Sequence, residues 1–314
     1  MQNERKGIIA SIGAYFLWGL FPLYWKVIQH VSSEEILASR VIWSFILTLI
    51  FVLILKQGRT LMSDFKELWH NKKAFWSLFF AAYLVSMNWF IYIWAVNHDH
   101  IVQTSLGYYM NPIISVLLGI IFLKERLSKS QISAFSLAAI GVVILFVSYG
   151  QIPWVAISLA LTFGIYGLLK KQIVIDATRG LVIETMFILP IAIIYYVYLY
   201  FQGNMSFLHV DMKTNLFLIG TGIVTAIPLI LFATGAQNIP LYLVGFIQYI
   251  APTMTLILGV IVYHESFGGT ELVSFSFIWL ALIIFSISTI AEVRKSHRIH
   301  QEDETFENLN RINN

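Results

Sequence analysis

The sequence predicts an all-α polytopic membrane protein: ten transmembrane helices arranged as two inverted five-helix repeats, with both termini inside. Three observations carry that reading. Of 314 residues, 58% are apolar and 12% charged, with a mean hydropathy of +0.76; a soluble domain is about 45–50% apolar and about 25% charged. The charged residues are confined to gaps between long apolar runs. A four-residue motif recurs at one fixed offset. Zero cysteines exclude a disulfide scaffold, and the hydrophobicity excludes disorder.

About 20 apolar residues cross a bilayer as a helix. The runs place spans at 7–25, 36–55, 74–96, 101–123, 131–148, 153–169, 180–201, 215–236, 241–263 and 272–291. Only Arg40 and Glu184, of 37 charged side chains, fall inside them. A charge at the bilayer centre costs roughly 2.5–3.5 kcal/mol, which explains the exclusion. Arg5 and Lys6 precede the first run and no small-residue cleavage site follows it, so the first span is read as retained. Lysine and arginine set the orientation. With the N-terminus inside, 17 of them lie on inner segments and only Lys26 and Lys213 on outer loops. That predicts N-in and C-in. The longest loop has 18 residues, too few for a soluble catalytic or nucleotide-binding domain, and basic residues split among short loops form no nucleic-acid surface. Residues 292–314 read as a flexible cytoplasmic tail. Trp25, Trp154 and Tyr149 suit the interfacial aromatic belt.

The repeat is carried by Tyr109, Pro112, Gly119 and Glu125, which recur as Tyr249, Pro252, Gly259 and Glu265 at an offset of 140. Gly19 and Lys26 echo in Gly164 and Lys171; Ala95, Asn97 and His98 echo in Gly235, Gln237 and Asn238. The halves are 7–148 and 153–291. Five spans per half is odd, so the halves must insert with opposite orientation, a design of secondary transporters with substrate near the midplane. Pro112 and Pro252 stand at the centres of their spans, and Pro190 and Pro228 near the middle of theirs. A mid-helix proline removes a hydrogen bond and clashes four residues back, at the carbonyls of Tyr108 and Gln248. In lipid such carbonyls must meet protein or water, so these kinks are expected to face a polar interior.

Three stretches, 88–97 (NWFIYIWAVN), 105–112 (SLGYYMNP) and 245–252 (GFIQYIAP), resemble the drug/metabolite transporter superfamily, with a pair of EamA-type repeats, and within it the RarD branch. The resemblance covers nearly the whole chain, to about residue 293. It implies ten helices, an inner-membrane location and transport of small organic solutes, and it does not identify the substrate. Where the branch often carries an acid, this chain has Gln103, which argues against proton coupling there.

Candidate substrate-binding residues are Trp18, Arg40, Asn88, Trp89, Tyr92, Tyr108, Asn111, Gln248 and Tyr249. Asn and Gln supply donors and acceptors; the aromatic rings supply apolar faces for a planar or amphipathic solute. Arg40 stands about 7.5 Å into its span, where it either snorkels outward or binds a carboxylate. Glu184, equally deep from the other side, is the proton-coupling candidate, with snorkelling or pairing to Lys170, Lys171 or Arg179 as alternatives. Tyr108, Asn111, Gln248 and Tyr249 are expected to converge on a cavity between the fourth and ninth helices. Glu125 and Glu265 are expected to pair with loop donors. His98-Asp99-His100 reads as a solvated turn, so no metal is expected. No cofactor is expected either, and without a Walker A motif ATP is not the energy source. An intramembrane enzyme would need paired acids or clustered histidines at midplane depth, and the two buried charges lie at opposite depths. The sequence therefore reads as a secondary transporter, exporting small amphipathic organic solutes or drugs by alternating access. Its partners would be the solute, the bilayer and, through Glu184, protons; it would act as a monomer or homodimer. The alternative is a non-transporting regulatory or scaffolding membrane protein with the same fold.

Overall fold

A computed structural model describes residues 2–97, 100–262 and 268–312. The described residues form helices and no strands. In order these are α1 (Gln2–Gly19), α2 (Phe21–Val27), α3 (Ser33–Ile54), α4 (Gly58–His70), α5 (Lys72–Asn97), α6 (Ile101–Leu123) and α7 (Lys129–Tyr149). They continue with α8 (Trp154–Gln172), α9 (Ala177–Gln202), α10 (Met212–Asn238), α11 (Leu241–Gln248), α12 (Ile250–Val262) and α13 (Gly269–Ile312). Ten stretches among the described residues are long and apolar enough to cross a membrane. α1 with α2 makes the first span and α11 with α12 the ninth. Helix α4 fills what the sequence presents as an inner loop, and α13 continues beyond 291 into the tail.

Local chemistry fixes the helix ends. The Ser32 hydroxyl accepts from the Glu35 N–H, Ser128 and Gln131 form a reciprocal capping box, and Asp176 accepts from the N–H of Thr178. Asp211 starts α10 by accepting from the Thr214 N–H and hydroxyl, which hold its carboxyl below the usual carboxylate range. Gly150 (φ +74°) and Gly203 (φ +69°) close α7 and α9 in the left-handed region, where a side chain would be strained. The first span breaks at Leu20, with Pro22 in the opening turn of α2. The ninth breaks at Tyr249, whose N–H bonds back to the Phe246 carbonyl in a tight last turn. Pro112, Pro190 and Pro228 lie inside helices that run on.

The packing cuts across the two sequence halves. One unit comprises residues 1–125 and 152–266; the other comprises 126–151 and 267–314. In the smaller unit α7 packs along α13. A Cβ on Gly141 would lie 2.7 Å from the Ser274 carbonyl, so glycine permits the close crossing.

In the larger unit the principal pairings are α1 with α10 and α11–α12, α3 with α9 and α10, α5 with α8 and α9, and α6 with α8 and α11. Exchanging each span with the one five places along maps this set onto itself, whereas α8 also packs on α10 with no such counterpart. Two close crossings obey the same exchange. A Cβ on Gly19 would sit 2.7 Å from Met254, and one on Gly164 would sit 2.7 Å from Ile114; Met254 is Ile114 shifted by 140.

Candidate functional site

Arg40 lies on α3, where small and apolar neighbours let the helix approach α5 and α9: Ala38 and Val41 pack with Ala82, Ile188 and Ala192. Its side chain is 9% exposed, so it does not snorkel to water. The guanidinium carbon is 4.2 Å from the ring centre of Trp89 on α5 and 5.2 Å from that of Trp25 on α2. Nε donates to the Thr225 hydroxyl on α10 at 3.0 Å. Tyr92 on α5 and Tyr108 on α6 are in electrostatic reach of the cation, with their rings 5.8 Å apart. Cation–π contact with two indoles is worth up to about 2 kcal/mol or more each when desolvated. No carboxylate balances the charge among the described residues, whose two ion pairs are Lys170–Glu184 and Arg179–Asp64. One of five guanidinium N–H groups is used by Thr225, and neither terminal amino group has a hydrogen-bond partner among the described residues. Tyr108 keeps 40% of its surface open beside this cage.

The sequence-predicted set therefore divides. Arg40, Trp89, Tyr92 and Tyr108 come together. Trp25, read as a belt residue, belongs with them, and so does Thr225, which the sequence does not single out. The other candidates lie apart from this group. The Asn88 amide donates to the Leu159 carbonyl and the Thr162 hydroxyl, each at 2.9 Å, tying α5 to α8. Trp18 meets Tyr15 and Phe163 edge-on at 5.2 and 5.7 Å. Gln248 accepts from the Ser115 hydroxyl at 3.1 Å. The Asn111 side-chain oxygen and the Tyr249 hydroxyl are buried without a partner. A Cβ on Gly245 would lie 2.9 Å from the Pro112 carbonyl, so α6 and α11 touch there, and Tyr108 turns toward Arg40.

Glu184 is paired. Its carboxylate accepts from Lys170 Nζ at 2.5 Å and from the Tyr166 hydroxyl at 3.3 Å, with Lys170 and Glu184 only 1% and 2% exposed. Lys170, placed by the sequence just outside the sixth span, is inside the protein. Any proton taken by Glu184 must first break this pair.

Glu125 accepts from the N–H groups of Leu241 and Tyr242 at 2.7 and 2.9 Å, holding the N-terminus of α11, the loop pairing expected of it. Glu265, its repeat partner, lies outside the described residues, as do His98 and Asp99. His100 stacks on Trp94. The Gln103 carbonyl oxygen accepts from the Val155 N–H at 3.0 Å, so the amide at this position joins α6 to α8.

Two cavities lie elsewhere. One of about 440 Å³ is lined by Leu17, Leu20, Phe21, Phe217 and Pro228 beside the break in the first span; its one hydroxyl, Tyr24, already donates to the Phe217 carbonyl. Another of about 630 Å³ lies between α4, α5 and the α8–α9 loop, with Asp64, Lys73, Gln172 and Arg179 on its walls.

Ten apolar stretches long enough to span a membrane define a polytopic membrane protein, and within the larger unit a desolvated guanidinium is held by aromatic rings. Residues 5–147 match the EamA-like transporter family. The chain is 47% identical to the uncharacterized transporter YojE of Bacillus subtilis, over 94% of this chain and 99% of that one. It is 39% identical to the protein RarD of Escherichia coli, over 95% and 99%. A crystal structure 16% identical in sequence matches with a TM-score of 0.68 over 90% of this chain and 97% of that one, which supports the fold. The chain belongs to the EamA-like transporter family, in its RarD branch, and is a multi-pass transporter of the cell membrane.

Proposed function

We propose that the protein is a secondary transporter exporting small amphipathic organic solutes by alternating access, and that Arg40 receives an anionic group of the solute. The observation that carries this reading is a buried guanidinium with no carboxylate partner among the described residues. Arginine stays charged when desolvated and binds carboxylate bidentately. With Nε fixed on Thr225, the two amino groups present the remaining fork, while Trp89 and Tyr108 supply ring faces for the apolar part of the solute. The principal span pairings, unchanged on exchange of the halves, support an inverted repeat, with N-in and C-in as the orientation. The crossing of two broken spans at Gly19 and Met254 supports movement there, since discontinuous helices line transporter sites. Glu184 is the coupling candidate, with Lys170 as the competitor its proton must displace.

The test is uptake and efflux in proteoliposomes. A panel of aromatic carboxylates and neutral drugs is run with and without a pH gradient. The expected result is saturable transport of the carboxylates, driven outward in the cellular sense, with Glu184→Gln abolishing gradient drive and sparing exchange. Gradient-driven transport unchanged in a folded Glu184→Gln protein removes the coupling role. Absence of saturable transport across the panel favours the scaffolding reading.

A further inference from the structure

Helix α4 has an apolar stripe that the protein covers on one edge only. Leu61, Met62, Phe65, Leu68 and Trp69 fall within about 120° of each other at about 100° per residue. Leu68 is 3% exposed, and Asp64 beside it binds Arg179 of α9 at 2.5 Å. On the other edge Met62 is 57% exposed and Trp69 67%. Arg59 and Lys66, both exposed, flank this open edge, while Asp64 and Glu67 lie on the opposite flank.

The position of α4 decides what meets that edge. It joins α3, which ends at Ile54, to α5, which begins at Lys72. Both neighbours are membrane spans, so α4 lies at the depth of their ends. An apolar edge carrying a tryptophan at that depth faces the boundary between acyl chains and headgroups. From Lys56 to Lys73 the segment carries five basic residues and two acids, and Asp64 is already taken by Arg179. The charge complementary to this surface is negative.

We infer that α4 is an interfacial helix that rests on an anionic phospholipid leaflet. Met62 and Trp69 enter the acyl boundary, and Arg59, Lys66 and Lys72 meet lipid phosphates. Arg179 bonds Asp64 and, at 3.0 Å, Gln57. Those two bonds fix the roll of α4, so that the apolar edge faces the bilayer.

The native absence of cysteine allows single labels on the full chain. Spin labels at M62C and T60C, which lie on opposite sides of α4, are compared in phosphatidylcholine vesicles with and without phosphatidylglycerol. The expected ratio of oxygen to nickel-chelate accessibility is several-fold higher at M62C than at T60C. It rises further with phosphatidylglycerol, and that rise disappears in Arg59→Gln/Lys66→Gln. W69C repeats the measurement should a label at Met62 disturb folding. Equal accessibility at both positions means that α4 stands in water and ends the proposal. An M62C label equally deep in both lipids overturns the anionic component.

Discussion

Arg40 and Glu184 stand at nearly equivalent points of the second and seventh spans, yet the protein treats them differently. Glu184 is met by a lysine and a tyrosine hydroxyl, each within hydrogen-bond reach. Arg40 is met by two indole faces and one threonine. The first centre is electrically closed. The second is a cation taken from water with no counter-charge among the described residues, and on the proposed function the anionic group of a solute supplies it. Within a membrane, what matters is whether a buried charge has been answered.

The largest effect expected on this view comes from opening the closed centre. Lys170→Met leaves the buried Glu184 carboxylate without a counter-charge, held only by the Tyr166 hydroxyl, and should cost about 3–5 kcal/mol, read as a drop in unfolding temperature in detergent. Lys170→Met with Glu184→Leu should regain most of the loss. A single mutant as stable as the native chain would mean that Glu184 is answered by something else, and the contrast would fail.

Arg40→Gln should do the reverse. Removing an unbalanced cation leaves the unfolding temperature close to native, while affinity for a carboxylated aromatic solute falls about 10–100-fold, corresponding to the roughly 1.5–3 kcal/mol of a charged hydrogen bond. Arg40→Lys keeps the charge and loses the fork, so it should fall between the two. Equal loss of stability at Arg40 and Lys170 would make both centres structural.

Much of this arrangement was legible in the chain. Hydropathy gave ten spans, and the rarity of charge inside them pointed to Arg40 and Glu184. Trp89 and Tyr92 are one turn apart on α5, so their convergence followed from spacing. Trp25 did not, because a tryptophan near a span end fits the belt equally well. Thr225 is brought to Arg40 by the packing of α3 on α10, 185 residues away, which no local pattern announces. Lys170 was one of three partners open to Glu184, but its burial was hidden because a hydropathy window ends a span at the first charge. Helix α4 was hidden because amphipathic residues average to a polar loop. The break at Tyr249 was also hidden: the same Y-x2-P runs through unbroken α6, so the motif alone does not dictate the bend.

The two crossings that obey the repeat sharpen the comparison of its halves. Gly19→Ala meets Met254 and Gly164→Ala meets Ile114, each at 2.7 Å from the added Cβ. Overpacking of this kind costs about 1–3 kcal/mol, and both variants should lose stability by similar amounts. The functional consequences should differ. The Gly19 crossing joins two broken spans and the Gly164 crossing joins two continuous helices, so Gly19→Ala should slow transport more per unit of stability lost. Matched rates at matched stability would show that the breaks do not move.

The smallest effect is expected at Gln248, and it separates a packing polar group from a binding one. Its side-chain oxygen accepts from Ser115 where α6 and α11 touch, and it is 4% exposed. Gln248→Leu removes that bond and leaves the Ser115 hydroxyl to find another acceptor, at a cost of about 0.5–1.5 kcal/mol. Solute affinity should not change, because the Arg40 cage is built from α2, α3, α5, α6 and α10 and takes nothing from α11. Isothermal titration with the carboxylate that Arg40→Gln loses makes the comparison direct. A tenfold loss of affinity in Gln248→Leu at native stability would extend the site across the α6–α11 contact. It would also give the unpartnered oxygen of Asn111 and hydroxyl of Tyr249 a solute to bind.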